Sequence, residues 1–259
     1  MPGVNAAQRL VDYLAKTKTI SPHLPMVEAL EKFFDYTPIE HHREHARRLE
    51  LLLAQIDCVV DGLQKQGFPA HLYETQVGKA RNAFTPSALN SQWNHVIAHV
   101  TPDVELAFMW AAYALPDDDD QIIDAILKEL SEEINSLKSD SMLAKLPQAF
   151  RDLITKYLDA ILDAISNYSI TGSEPLQKAV KDLAVKIILE EELLNAESDQ
   201  VTKEAEPYFK RAKVFIKKTV AVVAATGKAA ENIDKVWKLV SGKGPLVLEF
   251  FNTIKDKLN

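Results

Sequence analysis

An all-α fold, a multi-helix bundle of antiparallel helical hairpins divisible into two subdomains, follows from three features of this 259-residue chain. Only 8 residues are glycine, about half of the usual ~7% usage. Apolar residues recur at three- and four-residue spacing, and no segment longer than about five residues alternates with period two. Finally, Thr-Pro and X-Pro pairs punctuate the sequence at helix-length intervals. A hydroxyl followed by proline suits a helix start, because the first helical position has no use for the missing N–H.

The elements follow in order. Helices are expected at about 5–17, 22–36, 38–66, 70–83, 86–100, 102–114, 117–138, 147–169, 174–197, 201–226, 228–241 and 245–257. Thr37-Pro38, Thr85-Pro86 and Thr101-Pro102 mark three of the starts, and Glu40 completes a capping box after Thr37. Leu115-Pro116 opens a helix whose first turn holds Asp117, Asp118, Asp119 and Asp120, acidic groups that suit the helix dipole. Leu146-Pro147 and Glu174-Pro175 mark two more starts.

Three helices carry regular apolar seams. Leu49, Leu52, Ile56, Val59 and Leu63 form the first, and Ile123, Leu127, Leu130, Ile134 and Leu137 the second. The third is Ile154, Leu158, Ile161, Ile165 and Tyr168. Each seam lies on one face, the geometry of helices packed at shallow angles. Cys58, the only cysteine, falls in this apolar pattern and reads as a small buried hydrophobe. No disulfide within the chain is possible.

Charge divides the chain into three segments. Residues 1–114 hold 10 Lys and Arg against 12 Asp and Glu, near balance. Residues 115–200 hold 8 against 19, a net of −11, and residues 201–259 hold 12 against 6, a net of +6. The expected organisation is an N-terminal helical subdomain with the histidines (1–114), an acidic hairpin region (115–200) and basic amphipathic helices (201–259). No basic region followed by an apolar stretch opens the chain, and the longest charge-free apolar run near the C-terminus is far short of a bilayer span. The expectation is a soluble, cytoplasmic protein.

Candidate chemistry is sparse. The stretch "EHHREHARRLELLL" places His41 and His45 one turn apart, and "NHVIAH" does the same for His95 and His99. Two imidazoles at this spacing share a helix face and can chelate one metal ion, with Glu40, Glu44, His71 or Asp103 to complete a site. Neither the Glu-x-x-His of di-iron bundles nor the His-Glu-x-x-His of zinc peptidases is present. Structural histidines are therefore the preferred reading, with no metal or other cofactor. "LPDDDDQIID" resembles the aspartate-rich helix of enzymes that bind magnesium-diphosphate, but Gln121 stands where that motif needs a carboxylate. Phosphate-cradling Gly-rich loops, nucleophile elbows and paired cysteines are absent. The acidic balance and the scarcity of aromatics beside the C-terminal lysines disfavour nucleic acid.

The sequence thus reads as a non-enzymatic helical protein–protein interaction protein, an adaptor, regulator or inhibitor with a protein partner. The expected docking or self-clamping surface is the acidic block, represented by Asp117–Asp120 and by Glu190, Glu191 and Glu192. Phe215, Trp237, Phe250 and Phe251 lie among lysines on the C-terminal helices and suit a partner's groove or peripheral contact with an anionic membrane. A membrane-acting effector, with its basic end restrained by the acidic middle through the polar hinge "NAESDQVTKEAEP", is the first alternative. A metal-dependent helical enzyme using the histidine pairs is the second.

Overall fold

A computed structural model of the chain describes residues 3–36, 41–117, 119–120, 122, 124–140, 148–197 and 199–224. The fold is all-α. Among the described residues, strand is limited to two short segments, β1 (Gly3–Val4) and β2 (Asp119–Asp120). The chain divides into two compact units: residues 1–119 together with 167–172, and residues 120–166 together with the chain from 173 onward.

The first unit contains α1 (Ala6–Thr17), α2 (Met26–Phe34), α3 (His41–Lys65), α4 (Glu74–Ala83), α5 (Asn94–His99), α6 (Pro102–Ala114) and α9 (Tyr168–Thr171). The 25-residue α3 is its axis. All five residues of the Leu49–Leu63 seam are buried, facing α1, α2, α4, α6 and α9. Phe33, Phe84 and Trp93 form an aromatic cluster beside that seam, with Phe33 5.2 Å from Trp93 and 5.8 Å from Phe84 between ring centres. The Trp93 indole donates to the Thr17 carbonyl at 2.9 Å, so this buried ring leaves no polar atom unpaired.

Tertiary backbone bonding alters two helices expected from the sequence, those at 22–36 and 86–100. Residues 22–26 run against 91–94: Met26 donates to Ser91, Trp93 to Leu24 and Asn94 to Pro22, each at 2.9 Å. Those pairings take the groups that a continuous helix would use. The expected 86–100 helix therefore becomes a 3-10 turn (Pro86–Asn90) followed by α5, and α2 begins at Met26 instead of residue 22. The 70–83 helix likewise opens as a 3-10 turn (Ala70–Leu72) before α4. Thr85 and Thr101 do stand at helix starts ahead of proline, but neither hydroxyl caps its helix. The cap expected from Thr37, with Glu40, lies outside the described residues.

The second unit is a four-helix bundle of α7 (Asp124–Lys138), α8 (Gln148–Ser166), α10 (Glu174–Glu197) and α11 (Asp199–Ala224). Contacts close a ring: α7 on α8, α8 on α10, α10 on α11 and α11 on α7. Leu130, Ile134, Leu158, Ile161, Leu183, Ile187, Phe209 and Ile216 fill the centre. Of the second seam, Ile123 lies outside the described residues, and the other four residues are buried. In the third seam Tyr168 is buried but belongs to α9, because Asn167 ends α8.

Three expectations are corrected here. Helix α7 starts at Asp124, not 117. Asp117 lies in irregular exposed chain and Asp119–Asp120 are extended, so these aspartates do not sit on a helix dipole. Aspartate side chains compete for backbone hydrogen bonds and favour such non-helical conformations. Cys58 is exposed, not buried. It lies two residues, or about 200°, beyond Ile56 on α3, which turns it away from the core face. Finally, the described parts of the polar hinge are helical: Asn195–Glu197 ends α10 and Asp199–Pro207 belongs to α11.

Candidate interaction surface

Helix α6 is apolar on two opposite faces. Val104, Phe108 and Ala111 are buried against α1 and α4. The outer face carries Leu106, Met109, Trp110 and Tyr113, which are 65%, 46%, 38% and 91% exposed. Their spacing of three, one and three residues makes a continuous ridge over two turns. A surface helix ordinarily places charge on its outer face, and contiguous exposed apolar patches in a soluble fold mark contact sites.

The ridge is held from below. Helix α3 ends in a Schellman motif, with Gly67 at φ +81° donating to the Gln64 carbonyl and Phe68 donating to that of Leu63. This turn sets Phe68 edge-on to Trp110, with ring centres 4.9 Å apart. At the other end of α6, the buried Asn5 side chain donates to the carbonyls of Ala112 and Leu115 at 2.9 and 3.1 Å. Tyr113 is thus presented from an anchored helix terminus. The N-terminal turn is fixed by Lys18–Glu105 at 2.7 Å and Lys79–Asp103 at 2.8 Å. The Lys79 ammonium and the Thr101 hydroxyl hold the Asp103 carboxyl down at about 2.

The second unit presents a different surface. A groove of about 310 Å³ runs between α7 and α11, with Leu137, Val214 and Phe215 along it and Lys210, Arg211, Lys218 and Glu133 at its edges. Lys218 pairs with Glu129 at 2.7 Å and also with Glu133, while Arg211 pairs with Asp140 and reaches the Ser136 hydroxyl at 3.2 Å. Rising residue numbers on α11 meet falling numbers on α7, so the two helices are antiparallel. The paired glutamates hold the Lys218 ammonium above its ordinary range.

The residues singled out by sequence are dispersed. His45 is buried, as stepping back one turn from Leu49 implies, and its Nδ1 pairs with the Tyr36 hydroxyl. Burial, opposed by Arg48 whose guanidinium lies 3.9 Å over the ring, pushes the Tyr36 phenol up to about 12. The His41 side chain is outside the described set, so that pair is not assembled here. His95 and His99 do meet, with ring centres 4.9 Å apart. His71 is exposed on its 3-10 turn, and Glu44 is half-buried on α3. Among the described residues, no three His, Cys, Asp or Glu side chains are grouped closely enough to hold a metal ion.

Asp117 is exposed and Phe215 is buried along the α7–α11 groove. Glu190, Glu191 and Glu192 lie on α10, with side chains outside the described set. The side chains of Asp118, Asp119 and Asp120, and all of Trp237, Phe250 and Phe251, also lie outside it. No described helix is long and apolar enough to cross a membrane. The α6 ridge was missed by charge-based reading, yet its signal is plain in "ELAFMWAAYAL", where no charged residue follows Glu105. The chain matches no protein-family model, no curated protein and no solved structure at a significant level.

Proposed function

We propose that this chain is a non-enzymatic α-helical interaction protein that docks a protein partner through the outer face of α6. The observation that carries this reading is the ridge of Leu106, Met109, Trp110 and Tyr113 on a helix whose other face is already fully used by the core. Such a ridge has the anchor composition of a protein contact, with two large aromatics among aliphatic groups and charge only at its rim. Trp110 is the central anchor, braced by Phe68, and Tyr113 supplies a broad, rigid contact with a polar tip.

The test is a paired affinity purification of the wild-type chain and a Leu106→Glu/Tyr113→Glu variant. Both residues point outward, so thermal stability should stay near wild type, with surface changes worth about ±0.5 kcal/mol each. The expected outcome is a partner retained by the wild type and lost by the folded variant. A partner set identical for both proteins would overturn the reading.

The ion pairs of the second unit favour a second reading, in which the acidic middle restrains the basic C-terminal segment. Among the described residues of that segment, Lys218 meets Glu129 and Glu133 of α7, and Arg211 meets Asp140 just beyond its end. On this reading Glu129→Gln/Glu133→Gln raises binding of the full chain to vesicles containing anionic lipid, most clearly at low salt. Equal binding by variant and wild type would dismiss it.

A further inference from the structure

We propose that His95 and His99 form a two-ligand site for a divalent transition-metal cation of the Zn²⁺, Ni²⁺ or Cu²⁺ class. This site is separate from the α6 ridge, and nothing in the docking argument depends on it. The two residues are one turn apart on α5, and both are half-buried, so their rings are held yet reachable from solvent. Their ring centres lie 4.9 Å apart with planes inclined by 69°. A metal bound at ~2.0–2.1 Å to one nitrogen of each imidazole, at a near-tetrahedral angle, requires ring centres about 5 Å apart. The observed separation already satisfies this requirement.

A second feature concerns the opposite edge of His95. Its Nε2 lies 2.9 Å from the carbonyl oxygen of Asn82. A carbonyl only accepts, so Nε2 carries the proton and Nδ1 of the neutral ring keeps its lone pair. Histidines that bind metals are characteristically oriented in this manner, through the other ring nitrogen donating to a carbonyl or carboxylate. Asn82 also lies in the last turn of α4, where unpaired carbonyls present the negative end of the helix dipole. That end favours the positive charge a bound cation places on the imidazole.

The other i, i+4 pair differs. His45 is fully buried and its Nδ1 is engaged by Tyr36. With no third His, Cys, Asp or Glu grouped beside them among the described residues, His95 and His99 supply two positions, and water or another small ligand completes the coordination shell. Imidazole donors select borderline cations such as zinc, nickel and copper over the oxygen-seeking calcium and magnesium.

Metal-stripped full-length protein would be titrated calorimetrically with Zn²⁺, Ni²⁺ and Cu²⁺. One saturable equivalent is expected, with a rise in melting temperature because the cation binds the folded state. His95→Ala and His99→Ala should each weaken binding about tenfold or more and remove the thermal shift, since each leaves a single imidazole. His41→Ala/His42→Ala and His71→Ala should bind as wild type does. Because His95→Ala also removes the Asn82 hydrogen bond, Cu²⁺ electron paramagnetic resonance provides a second reading: two coupled imidazole nitrogens in wild type, one in His99→Gln. Absence of saturable binding, unchanged affinity in the His95 and His99 variants, or loss of binding in the His41/His42 variant would each overturn the site.

Discussion

Asn5 shows how much one side chain can fix in this fold. Its Oδ1 accepts from the Gln8 N–H at 3.0 Å and caps α1, while its Nδ2 donates to two carbonyls at the end of α6. Only an amide offers an acceptor and two donors in one buried position. Asn5→Ala should cost about 1–3 kcal/mol in urea unfolding, through the lost cap and the stranded carbonyls. Asn5→Asp keeps the capping acceptor but turns a carboxylate toward the carbonyls of Ala112 and Leu115, so it should rescue nothing relative to alanine. Asp103 behaves differently, because its partner is a charge. Its folded value of about 2 lies below the ordinary 3.8, so the folded state favours the carboxylate. The stabilisation from the Lys79 pair is complete above about pH 4 and is lost as pH falls through 2. Asp103→Asn should therefore lower stability above about pH 4, where the pair is fully formed, and flatten that part of the acid-unfolding curve. Both residues are polar anchors whose partners come from distant sequence, which explains why local patterns gave Asn5 no special status and offered Asp103 only as a metal ligand.

Among the elements, the helices most legible in sequence are those whose backbone bonds are purely local. Helix α6 begins at Pro102 and α10 at Glu174, as expected, and the seam of α3 is buried along its whole length. Legibility fails where another segment competes for the backbone, as when residues 22–26 capture 91–94. It fails again where one side of a pattern is read without its opposite. The apolar neighbourhood of Cys58 suggested burial, although its angle from Ile56 pointed to solvent. For α6 only its start at Thr101-Pro102 was read, and the apolar run behind it was passed over, so the ridge was readable but unread. The end of α3 carries a sharper signal in "QKQGFP", where glycine sits in the left-handed region and Phe68 closes the turn. Gly67→Ala should cost about 1–2 kcal/mol, the penalty of a Cβ in that conformation. Space is not the cause, since nothing lies within 4 Å of where that Cβ would stand. The same variant loosens the placement of Phe68 beneath Trp110, so partner capture through α6 should weaken with it.

At the scale of the whole molecule, the contrast between an acidic middle and a basic end is expressed inside one four-helix unit, where Glu129 and Glu133 of α7 meet Lys218 and Asp140, just past α7, meets Arg211. Charge composition indicated this pairing but could not indicate which residues meet, because that depends on the antiparallel register of α7 and α11. The chain path holds a feature that no charge or periodicity signal reveals. Between α8 and α10, residues 167–172 leave their sequence neighbours and complete the first unit. Ile170 is fully buried in the core with Leu10, Leu52 and Phe33, and Ser169 Oγ lies 2.8 Å from the Tyr13 hydroxyl. The expected 147–169 helix missed this because its apolar period continues to Tyr168, while Asn167 diverts the backbone: its carbonyl accepts from Ile170 and Thr171 at 2.9 and 3.0 Å. Core packing in the first unit therefore depends on a segment more than fifty residues beyond Ala114, its last long helix. Ile170→Ala should remove about 2–5 kcal/mol, the range for truncating a large buried aliphatic residue. Native-state hydrogen exchange should register the loss mainly in α1 and α3, which pack against α9, and less in α10, which follows it in sequence. If protection falls first in α8 and α10 while α1 and α3 stay unchanged, residues 167–172 serve only as a connector, and the first unit does not need them.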